Sequence, residues 1–512
     1  MRKQFLVTSL VAASFVAGLV ACDNDKLTQV NVNPNQPEQV QSQQLFTNAT
    51  LSAMGNLRGS SFEHGLGSLW VQHYAEIQYA EADVNNPRGS TVEGLWNTLY
   101  SGALQDYTQI LTQSASSPSI VGPTLTMRAF LVEEMTDLWG DMPFTEASKG
   151  SANLTPKYDT QQVIYDSLFA SLTQAASITT GAGDVLLAAD PVYGQTTGIT
   201  ATAQAAKWVK LANSLHARAA LRISNPNADP TKGKAELTKA LSDLTKVFQS
   251  NADNAYIAWP GGTITNPLCG NWVGCAGTRD DQRISQRFVD TLKVTGDPRL
   301  AKYAAPTAAS QAAGATPCDS TYRGFPNGIS EAGKATLPKN TCTGKTMGLA
   351  DFSRPTLTIR GQTSPSFIMT YSELLFIRAE AAQRNLVPGD AKSLYEQAIT
   401  ASMQQWGVTA PEIAAYLAKP SVVYNPAIGM KQIAYEKWVS LFNLENEAYA
   451  EWRRLDYPVL KPGPNAVTNT VPTRLPYPAI ENSLNSENLA AASTAQGSVD
   501  ITGKVWWDKP LP

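Results

Sequence analysis

Two groups of acidic residues at helical spacing are the first candidates for chemistry in this sequence. They are Glu133, Glu134 and Asp137, and Glu445, Glu447 and Glu451. Hydrolysis of a glycosidic bond needs two carboxyl groups about 5 to 10 Å apart across a cleft, one of them with a raised pKa. Carboxylates spaced along one helix are more often solvated or paired with cations. Because no nucleophile elbow, zinc-protease, phosphate-loop or dinucleotide motif occurs in a supporting context, we predict no catalytic residues and no enzyme.

A metal site is not predicted either, because the possible ligands are few and badly spaced. His73 and Glu76 share one face of a predicted helix, but a metal needs more ligands than these two. The cysteines lack the close pairing typical of zinc sites. We expect no cofactor. Calcium binding stays open, since loop carboxylates such as Asp280 and Asp281 could contribute to a site.

The five cysteines divide into Cys22 and a group of four, Cys269, Cys275, Cys318 and Cys342. Outside the cytoplasm such a group favours disulfides, with free thiols as the alternative. Four cysteines allow three pairings. The shortness of the intervening loop makes a bond between Cys269 and Cys275 the simplest arrangement.

Aromatic residues with polar neighbours are the best candidates for binding a ligand. Sugar rings have apolar faces edged by hydroxyls, so exposed aromatic rings beside polar side chains suit them. Trp272 lies in the proposed Cys269 to Cys275 loop next to Asn271, with Tyr322 and Phe325 further along. A tryptophan on a clamped loop loses little entropy on binding. We therefore rank Trp272 first, with burial beneath the surrounding loops as the alternative.

A second polar and aromatic group occurs earlier in the chain. Tyr79, Asn85 and Arg88 could contact a ligand, with ordinary turn and surface roles as the alternative.

The N-terminus predicts export and lipid anchoring. Arg2 and Lys3 precede the apolar run from Phe5 to Val20, which is too short and too interrupted to span a bilayer. Leu19-Val20-Ala21-Cys22 resembles the bacterial lipobox, in which the cysteine is acylated after the signal is removed. We expect a signal peptide at residues 1–21 and a lipidated tether at residues 22–44, with a plain secretory signal as the alternative.

The remaining residues, 45–512, are expected to form a single, mainly α domain. Hydrophobic residues make up 43% of the sequence, which suffices for a core. Charged residues are only 16% and the net charge is -3, so binding to nucleic acid is disfavoured. Helical periodicity lapses in a loop-rich insert at about residues 258–365, which we expect to form the binding face.

Helical periodicity is clear over most of the chain. The predicted helices are Leu45 to Met54, Trp70 to Tyr79, Leu95 to Gln113, Leu125 to Leu138, Gln161 to Ala176, Ala203 to Arg222 and Lys431 to Trp452. A further pair has a capping-box pattern at Thr370 and Glu373 and a second cap at Asp390. Its length is typical of tetratricopeptide-like units, although the strict repeat consensus is absent.

Ordered motifs along the chain resemble the SusD/RagB family of outer-membrane lipoproteins. The resemblance rests on Asn31-Val32-Asn33-Pro34-Asn35, Trp96-Asn97-Thr98-Leu99-Tyr100, Thr136-Asp137-Leu138-Trp139-Gly140-Asp141-Met142-Pro143-Phe144, Lys207-Trp208, Gly296-Asp297-Pro298-Arg299-Leu300, Ser372-Glu373-Leu374-Leu375, Trp452-Arg453-Arg454 and Arg474-Leu475-Pro476-Tyr477-Pro478. Each motif alone is weak, but their order together with the lipobox is specific. Most of them are interpreted as scaffold rather than as ligand contacts.

The resemblance implies a SusD-like helical domain with tetratricopeptide-like helix pairs, anchored by lipid to the outer membrane and facing outward. It also implies that the protein binds an oligosaccharide or polysaccharide and delivers it to a SusC-like TonB-dependent transporter. The region of Tyr79, Asn85 and Arg88 resembles the ligand-contacting part of some family members. Three alternatives stay open: a peptide ligand, a surface glycoside hydrolase, and a lid on the transporter that binds no ligand.

Overall fold

Helices make up most of the residues that the computed structural model describes, which are 40–59, 62–178, 186–275, 277 and 280–508. The α-helices are α1 (Ser42–Leu57), α2 (Ser68–Trp70), α3 (Gly89–Thr98), α4 (Gln105–Gln113), α5 (Pro118–Trp139), α6 (Gln161–Ser177), α7 (Ala201–Ile223), α8 (Pro230–Ala240), α9 (Gln286–Thr295), α10 (Leu300–Tyr303), α11 (Ala308–Gln311), α12 (Leu357–Arg360), α13 (Tyr371–Gln383), α14 (Ala391–Gln405), α15 (Ala410–Leu417), α16 (Gly429–Ser440), α17 (Glu445–Leu455), α18 (Glu481–Leu484) and α19 (Ser486–Gln496). Two π-helical segments are Glu63–Gly67 and Leu99–Leu104.

Short strands and 3-10 turns complete the secondary structure. The strands are β1 (Tyr74–Glu76), β2 (Met142–Pro143), β3 (Tyr158–Asp159), β4 (Ala255–Ile257), β5 (Gln282–Ile284) and β6 (Ser366–Met369). The 3-10 turns are Gly150–Ala152, Leu187–Ala189, Leu244–Lys246, Asn251–Asp253, Pro267–Asn271, Ala332–Thr336, Leu349–Asp351 and Pro426–Ile428. The predicted mainly α fold is confirmed.

The signal peptide at 1–21, the lipidation site Cys22 and the tether as far as residue 39 lie outside the described residues. Helix α1 begins at Ser42, three residues before the predicted Leu45. In the part of the chain that the structure describes, no helix combines the length and the apolar character needed to cross a membrane.

The predicted helix pair is present as α13 and α14. The Thr370 side chain accepts a hydrogen bond from Glu373 N, and the Asp390 side chain accepts one from Ser393 N, so each cap satisfies a backbone donor at its helix start. The second half of the expected capping box is absent. The Glu373 carboxylate turns inward to Arg218 of α7, with a 2.6 Å contact to Arg218 Nε. This side chain therefore joins two helices instead of capping one.

Three predictions about helices are wrong. The segment from Trp70 to Tyr79 is not helical throughout: α2 ends at Trp70 and the chain then forms strand β1. The segment from Lys431 to Trp452 is two helices, because the chain turns at Asn443, which has φ of 70°. Helix α9 lies inside the region that lacked clear periodicity, with only Phe288, Val289 and Leu292 buried. Backbone turns and short apolar faces are weak signals in a sequence.

Buried ion pairs join the central helices. Arg222 of α7 contacts Asp137 of α5, and its Nη2 atom is 2.5 Å from Glu447 Oε2 of α17. Arg454 of α17 binds Glu380 of α13 through two nitrogens at 2.6 Å and 2.5 Å. Burial is costly for charged groups unless each has a partner. These contacts therefore fix how α5, α7, α13 and α17 pack against each other.

Strand pairing positions the loop-rich insert. Strand β4, just before residue 258, pairs antiparallel with β6, just after residue 365, so the insert begins and ends at the same place on the helical scaffold. Within the insert, β5 pairs antiparallel with β1, with Ala75 opposite Arg283. The early loop after β1 is thereby held beside the insert. Two regions about 200 residues apart in sequence become one surface.

Candidate ligand-binding site

An open groove lies where the early loop meets the insert. Its volume is about 390 Å³, and one side is lined by the loop residues Gln78, Tyr79, Ala80, Glu81 and Val84. The other side is lined by Ser330 and Glu331 of the insert. We call this the site groove. A concave surface with an aromatic ring and several polar groups is typical of a site for a small ligand.

Tyr79 is the aromatic side chain of the site groove, and 49% of it is exposed. Its backbone is in the left-handed region, with φ of 54°. The guanidinium of Arg88 lies over the Tyr79 ring, 5.4 Å from its centroid. Arg88 Nη2 also donates to Glu81 Oε1 at 2.8 Å, and this hydrogen bond lowers the pKa of Glu81. An exposed aromatic ring thus lies beside a paired guanidinium and carboxylate, a combination of apolar and polar groups that suits a sugar ring.

Asp83 and Asn327 connect the two sides of the site groove beneath its surface. Asn327 Nδ2 donates to Asp83 Oδ1 at 2.8 Å and to the carbonyl oxygen of Tyr74 at 2.7 Å. The backbone N–H of Glu76 donates to Asp83 Oδ2 at 3.1 Å. Asn327 comes from the insert and the other residues come from the early part of the chain. These bonds therefore hold the early loop to the insert.

Burial raises the pKa of Asp83 to about 7, although the hydrogen bond from Asn327 acts to lower it. Burial and the charge of Asp83 also raise the pKa of Glu76. Between about pH 4 and pH 7 the unfolded chain has released the Asp83 proton while the folded protein retains it. The free energy of unfolding therefore falls as the pH rises through this window, because ionising Asp83 in its buried site is unfavourable.

Between pH 5.5 and pH 7.5 we expect the free energy of unfolding of the wild type to fall by on the order of 1–2 kcal/mol more than that of Asp83→Asn. Urea denaturation of the two proteins across this range measures the difference in slope. The absolute stabilities of the two proteins are not compared, because the substitution also alters the hydrogen bonds made at position 83. Identical slopes for the two proteins would contradict the assignment to Asp83.

Three residues predicted to contact the ligand are buried. Trp272 is 0% exposed and Phe325 is 1% exposed, so neither ring can stack on a ligand at the surface. Phe325 packs edge-on against Phe352, with ring centroids 5.0 Å apart. Asn85 is 5% exposed, and its amide nitrogen donates to Thr468 Oγ1 at 2.9 Å. The expectation that these side chains face the ligand is wrong, because the two rings pack in the protein interior and the Asn85 amide forms an internal hydrogen bond.

The other predicted residues divide between the site groove and the rest of the insert. Tyr79 lines the site groove, and Arg88 reaches it through the Tyr79 ring and Glu81. Asn271 and Tyr322 are half-buried and do not line it. Sequence reasoning missed the contribution of Ser330 and Glu331. No local signal marks these two residues, since tertiary contacts, among them the β1–β5 pairing and the Asn327 hydrogen bonds, bring them to the early loop.

The structure joins Cys269 to Cys275 and Cys318 to Cys342 by disulfide bonds. The first closes a short loop around Trp272, and the second closes a longer one in the insert. A cross-link that closes a loop restricts the unfolded chain and so stabilises the local fold. Both bonds therefore favour an ordered insert.

The acidic residues considered for catalysis are held in buried ion pairs. Burial raises the pKa of Glu133, as an acid catalyst would require. The cavity lined by Glu133, Asp137 and Glu447 measures only about 10 Å³, which is room for about one water molecule and not for a sugar. For Glu451 burial acts to raise the pKa, but the Arg454 and Lys437 charges hold it well below its usual value. In the described ranges, no three His, Cys, Asp or Glu residues are grouped to hold a metal ion.

Several solved structures, SusD-like proteins among them, are similar to this one over nearly their whole length. A chitin-binding protein is 27% identical, with 92% of this chain and 100% of that chain covered and a TM-score of 0.78. The Bacteroidetes AC2a SusD-like protein is 23% identical, with coverage of 92% and 100% and a TM-score of 0.79. A chitin-binding SusD homolog from Flavobacterium johnsoniae is 23% identical, with coverage of 90% and 98% and a TM-score of 0.75. No curated protein matches the sequence.

A family model places the chain among these proteins by sequence as well. The model describes SusD-like, starch-binding proteins that associate with the outer membrane, and it matches residues 34–478. This range contains both sides of the site groove and the helices joined by buried ion pairs. The chain therefore belongs to the SusD-like family.

Proposed function

We propose that this protein is a cell-surface lipoprotein that binds a glycan and delivers it to a SusC-like TonB-dependent transporter in the outer membrane. The observation that carries the proposal is the exposed Tyr79 ring in the site groove, with the Arg88 guanidinium over the ring and paired with Glu81. Family membership and two similar structures named as chitin-binding support a glycan ligand. The proposed role is binding without catalysis, since the acidic candidates are buried in ion pairs.

Tyr79→Ala is expected to raise the Kd for the glycan about ten-fold or more, because truncation removes the ring on which a sugar would stack. Calorimetry on protein starting after Cys22 measures this, with chitin oligosaccharides, starch oligosaccharides and peptides as the ligand panel. Tyr79→Phe keeps the ring and should retain most of the affinity.

Tyr256→Ala is the matched control for this experiment. Tyr256 is also exposed, at 37%, but it lies on β4 at the base of the insert and does not line the site groove. Its replacement should leave the Kd unchanged. Equal affinity of Tyr79→Ala and the wild type for every glycan that binds would exclude the site groove as the binding site.

Lipid anchoring is part of the same proposal and rests on the sequence around Cys22. Acyl chains on the cysteine contribute about 0.8 kcal/mol for each methylene group buried in the membrane. Cys22→Ala should therefore move the protein from the membrane fraction to the soluble fraction after cell lysis. Retention of this variant in the outer membrane would contradict the lipoprotein assignment.

A further inference from the structure

A second groove, larger than the site groove, lies on the other side of a short ridge that the insert forms with a later segment of the chain. Its volume is about 550 Å³. One wall is the exposed face of α9, and the opposite side is formed by Pro326, Asn327, Lys461 and Gly463. We call it the second groove. Gln72 lies between these sides, and its Nε2 atom donates to the Lys461 carbonyl oxygen at 2.6 Å.

The α9 wall presents a regular pattern to the second groove. Arg287, Asp290, Thr291 and Val294 are at positions i, i+3, i+4 and i+7, which lie on one face of a helix. Val294 is 88% exposed, the most exposed of the large apolar side chains in the described chain. One basic, one acidic and one hydroxyl side chain therefore lie on the same helix face as this exposed valine. This composition suits an uncharged chain with apolar faces and many hydroxyls better than it suits a polyanion or a polycation.

The ridge between the two grooves consists of two segments that run side by side, residues 326–331 and residues 463–467. The Asn465 N–H donates to the Gly328 carbonyl oxygen at 3.1 Å. A Cβ atom on Gly328 would lie 2.6 Å from the Gly463 Cα atom, so only glycine allows this contact. The Val467 N–H donates to the Val84 carbonyl oxygen at 2.9 Å, which joins the ridge to the wall of the site groove.

The two grooves are close neighbours across this ridge. Asn327 lines the second groove and Ser330 lines the site groove. Three residues of fully extended chain span at most about 10 Å, so the ridge is narrow. Asn327 also binds Asp83 below the site groove. The walls of both grooves therefore belong to one hydrogen-bonded unit.

We infer that the site groove and the second groove together form one continuous binding surface for a glycan chain of several sugar units, which crosses the ridge. The inference rests on the proposed function, since it extends the same binding site. A chain that reaches both grooves gains the contacts of both without a second loss of translational freedom. The protein should consequently select long oligosaccharides over short ones.

The test compares oligosaccharides of one glycan, from the disaccharide to the octasaccharide, using the ligand class that the wild type binds. The variant is Arg287→Ala with Asp290→Ala, two exposed positions on α9 where the fold should tolerate alanine. Lys293→Ala is the matched control, because Lys293 is exposed on the same helix but does not line the second groove. Val294→Asp is a second variant, which places a charge at the exposed valine.

The expected result is that both second-groove variants raise the Kd for the octasaccharide by about ten-fold while the Kd for the shortest ligand stays unchanged. Tyr79→Ala should weaken binding at every length. The inference is overturned if the second-groove variants bind all lengths as the wild type does while Tyr79→Ala is impaired. That result leaves the proposed function intact. Absence of wild-type binding to any glycan at any length would instead overturn both.

Discussion

Replacing Arg454 with methionine is expected to lower the free energy of unfolding by about 3–5 kcal/mol. Arg454 is buried between α13 and α17, where its two terminal nitrogens bind the two carboxylate oxygens of Glu380. Its Nε atom donates to Glu451 Oε1 at 3.0 Å, and its Nη2 atom donates to Glu451 Oε2 at 2.6 Å. Methionine fills a similar space but leaves both buried carboxylates without this cation.

The neighbouring cations cannot replace Arg454 in full. Burial acts to raise the pKa of Glu380, but the charge and hydrogen bonds of Arg454, together with the Arg384 charge, hold the pKa below its usual value. Arg384 contacts Glu380 at 2.9 Å from the helix surface, and Lys437 contacts Glu451 at 2.7 Å. Without Arg454, Glu380 keeps Arg384, and Glu451 keeps Lys437 and the more distant Arg222, whose Nη2 atom is 3.7 Å from Glu451 Oε1. Arg454→Lys should also destabilise the protein, since an ammonium group cannot reproduce the paired hydrogen bonds of the guanidinium.

Arg88→Met is the matched control for Arg454→Met. It is the same substitution at another arginine bound to a carboxylate, but the Arg88 side chain is 53% exposed and its Glu81 partner is 43% exposed. Solvent screens such a pair, so its loss should leave the free energy of unfolding nearly unchanged. Urea denaturation at pH 7 measures all three variants. A loss below about 1 kcal/mol in Arg454→Met would contradict the expectation that these buried pairs stabilise the fold.

Periodicity predicted most of the long helices because each helix face is a local property of the sequence. The partners of the buried charges are not local. Glu373 and Arg218 are 155 residues apart, and Glu447 and Arg222 are 225 residues apart. A sequence shows carboxylates at helical spacing, but it does not show whether arginines from another helix will cover them. For this reason the acidic groups were expected on solvated faces or in salt bridges, and their burial emerged only from the fold.

The candidate site was predictable only in part, again because a sequence shows local composition but not contacts between distant segments. Composition identified both regions that contribute, the early loop around Tyr79 and the insert, because both combine aromatic and polar residues in breaks between helices. It could not rank the aromatic residues by exposure. Tyr79 is held outward by a backbone with φ of 54°, whereas Trp272 turns into the core. Both have polar neighbours in sequence, so composition alone does not separate them.

Trp272→Ala is expected to destabilise the insert by about 3–5 kcal/mol, because it removes a fully buried tryptophan and leaves a cavity. Trp272 is 0% exposed and belongs to the main hydrophobic core together with Leu268. Its backbone also organises the disulfide loop. The Trp272 N–H donates to the Cys269 carbonyl oxygen, and the Trp272 carbonyl oxygen accepts from the Cys275 N–H, each at 3.2 Å. The side chain therefore fastens a short cross-linked loop to the core.

Two further variants, one at Trp272 and one at its neighbour, separate the loss of packing from the loss of the buried donor and from general effects of truncation in this loop. Trp272 Nε1 is buried without a hydrogen-bond partner among the described residues, which is unfavourable. Trp272→Phe removes that donor and keeps an aromatic ring, so we expect it to cost less than half as much as Trp272→Ala. Val273→Ala is the neighbouring control. Val273 is 45% exposed, and its truncation should change stability by about 0.5 kcal/mol or less.

Amide hydrogen exchange shows which part of the protein Trp272→Ala destabilises, when rates in the insert are compared with rates in the central helices. We expect exchange to accelerate in residues 266–275 and in their neighbours before it does so in α5 or α7. Glycan affinity at low temperature should stay near that of the wild type, because Trp272 does not line the site groove. The opposite pattern, with normal exchange and lost affinity, would mean that Trp272 faces the ligand in solution. Stability and affinity measured on this one variant thus distinguish a core residue from a binding platform, whereas affinity alone would not.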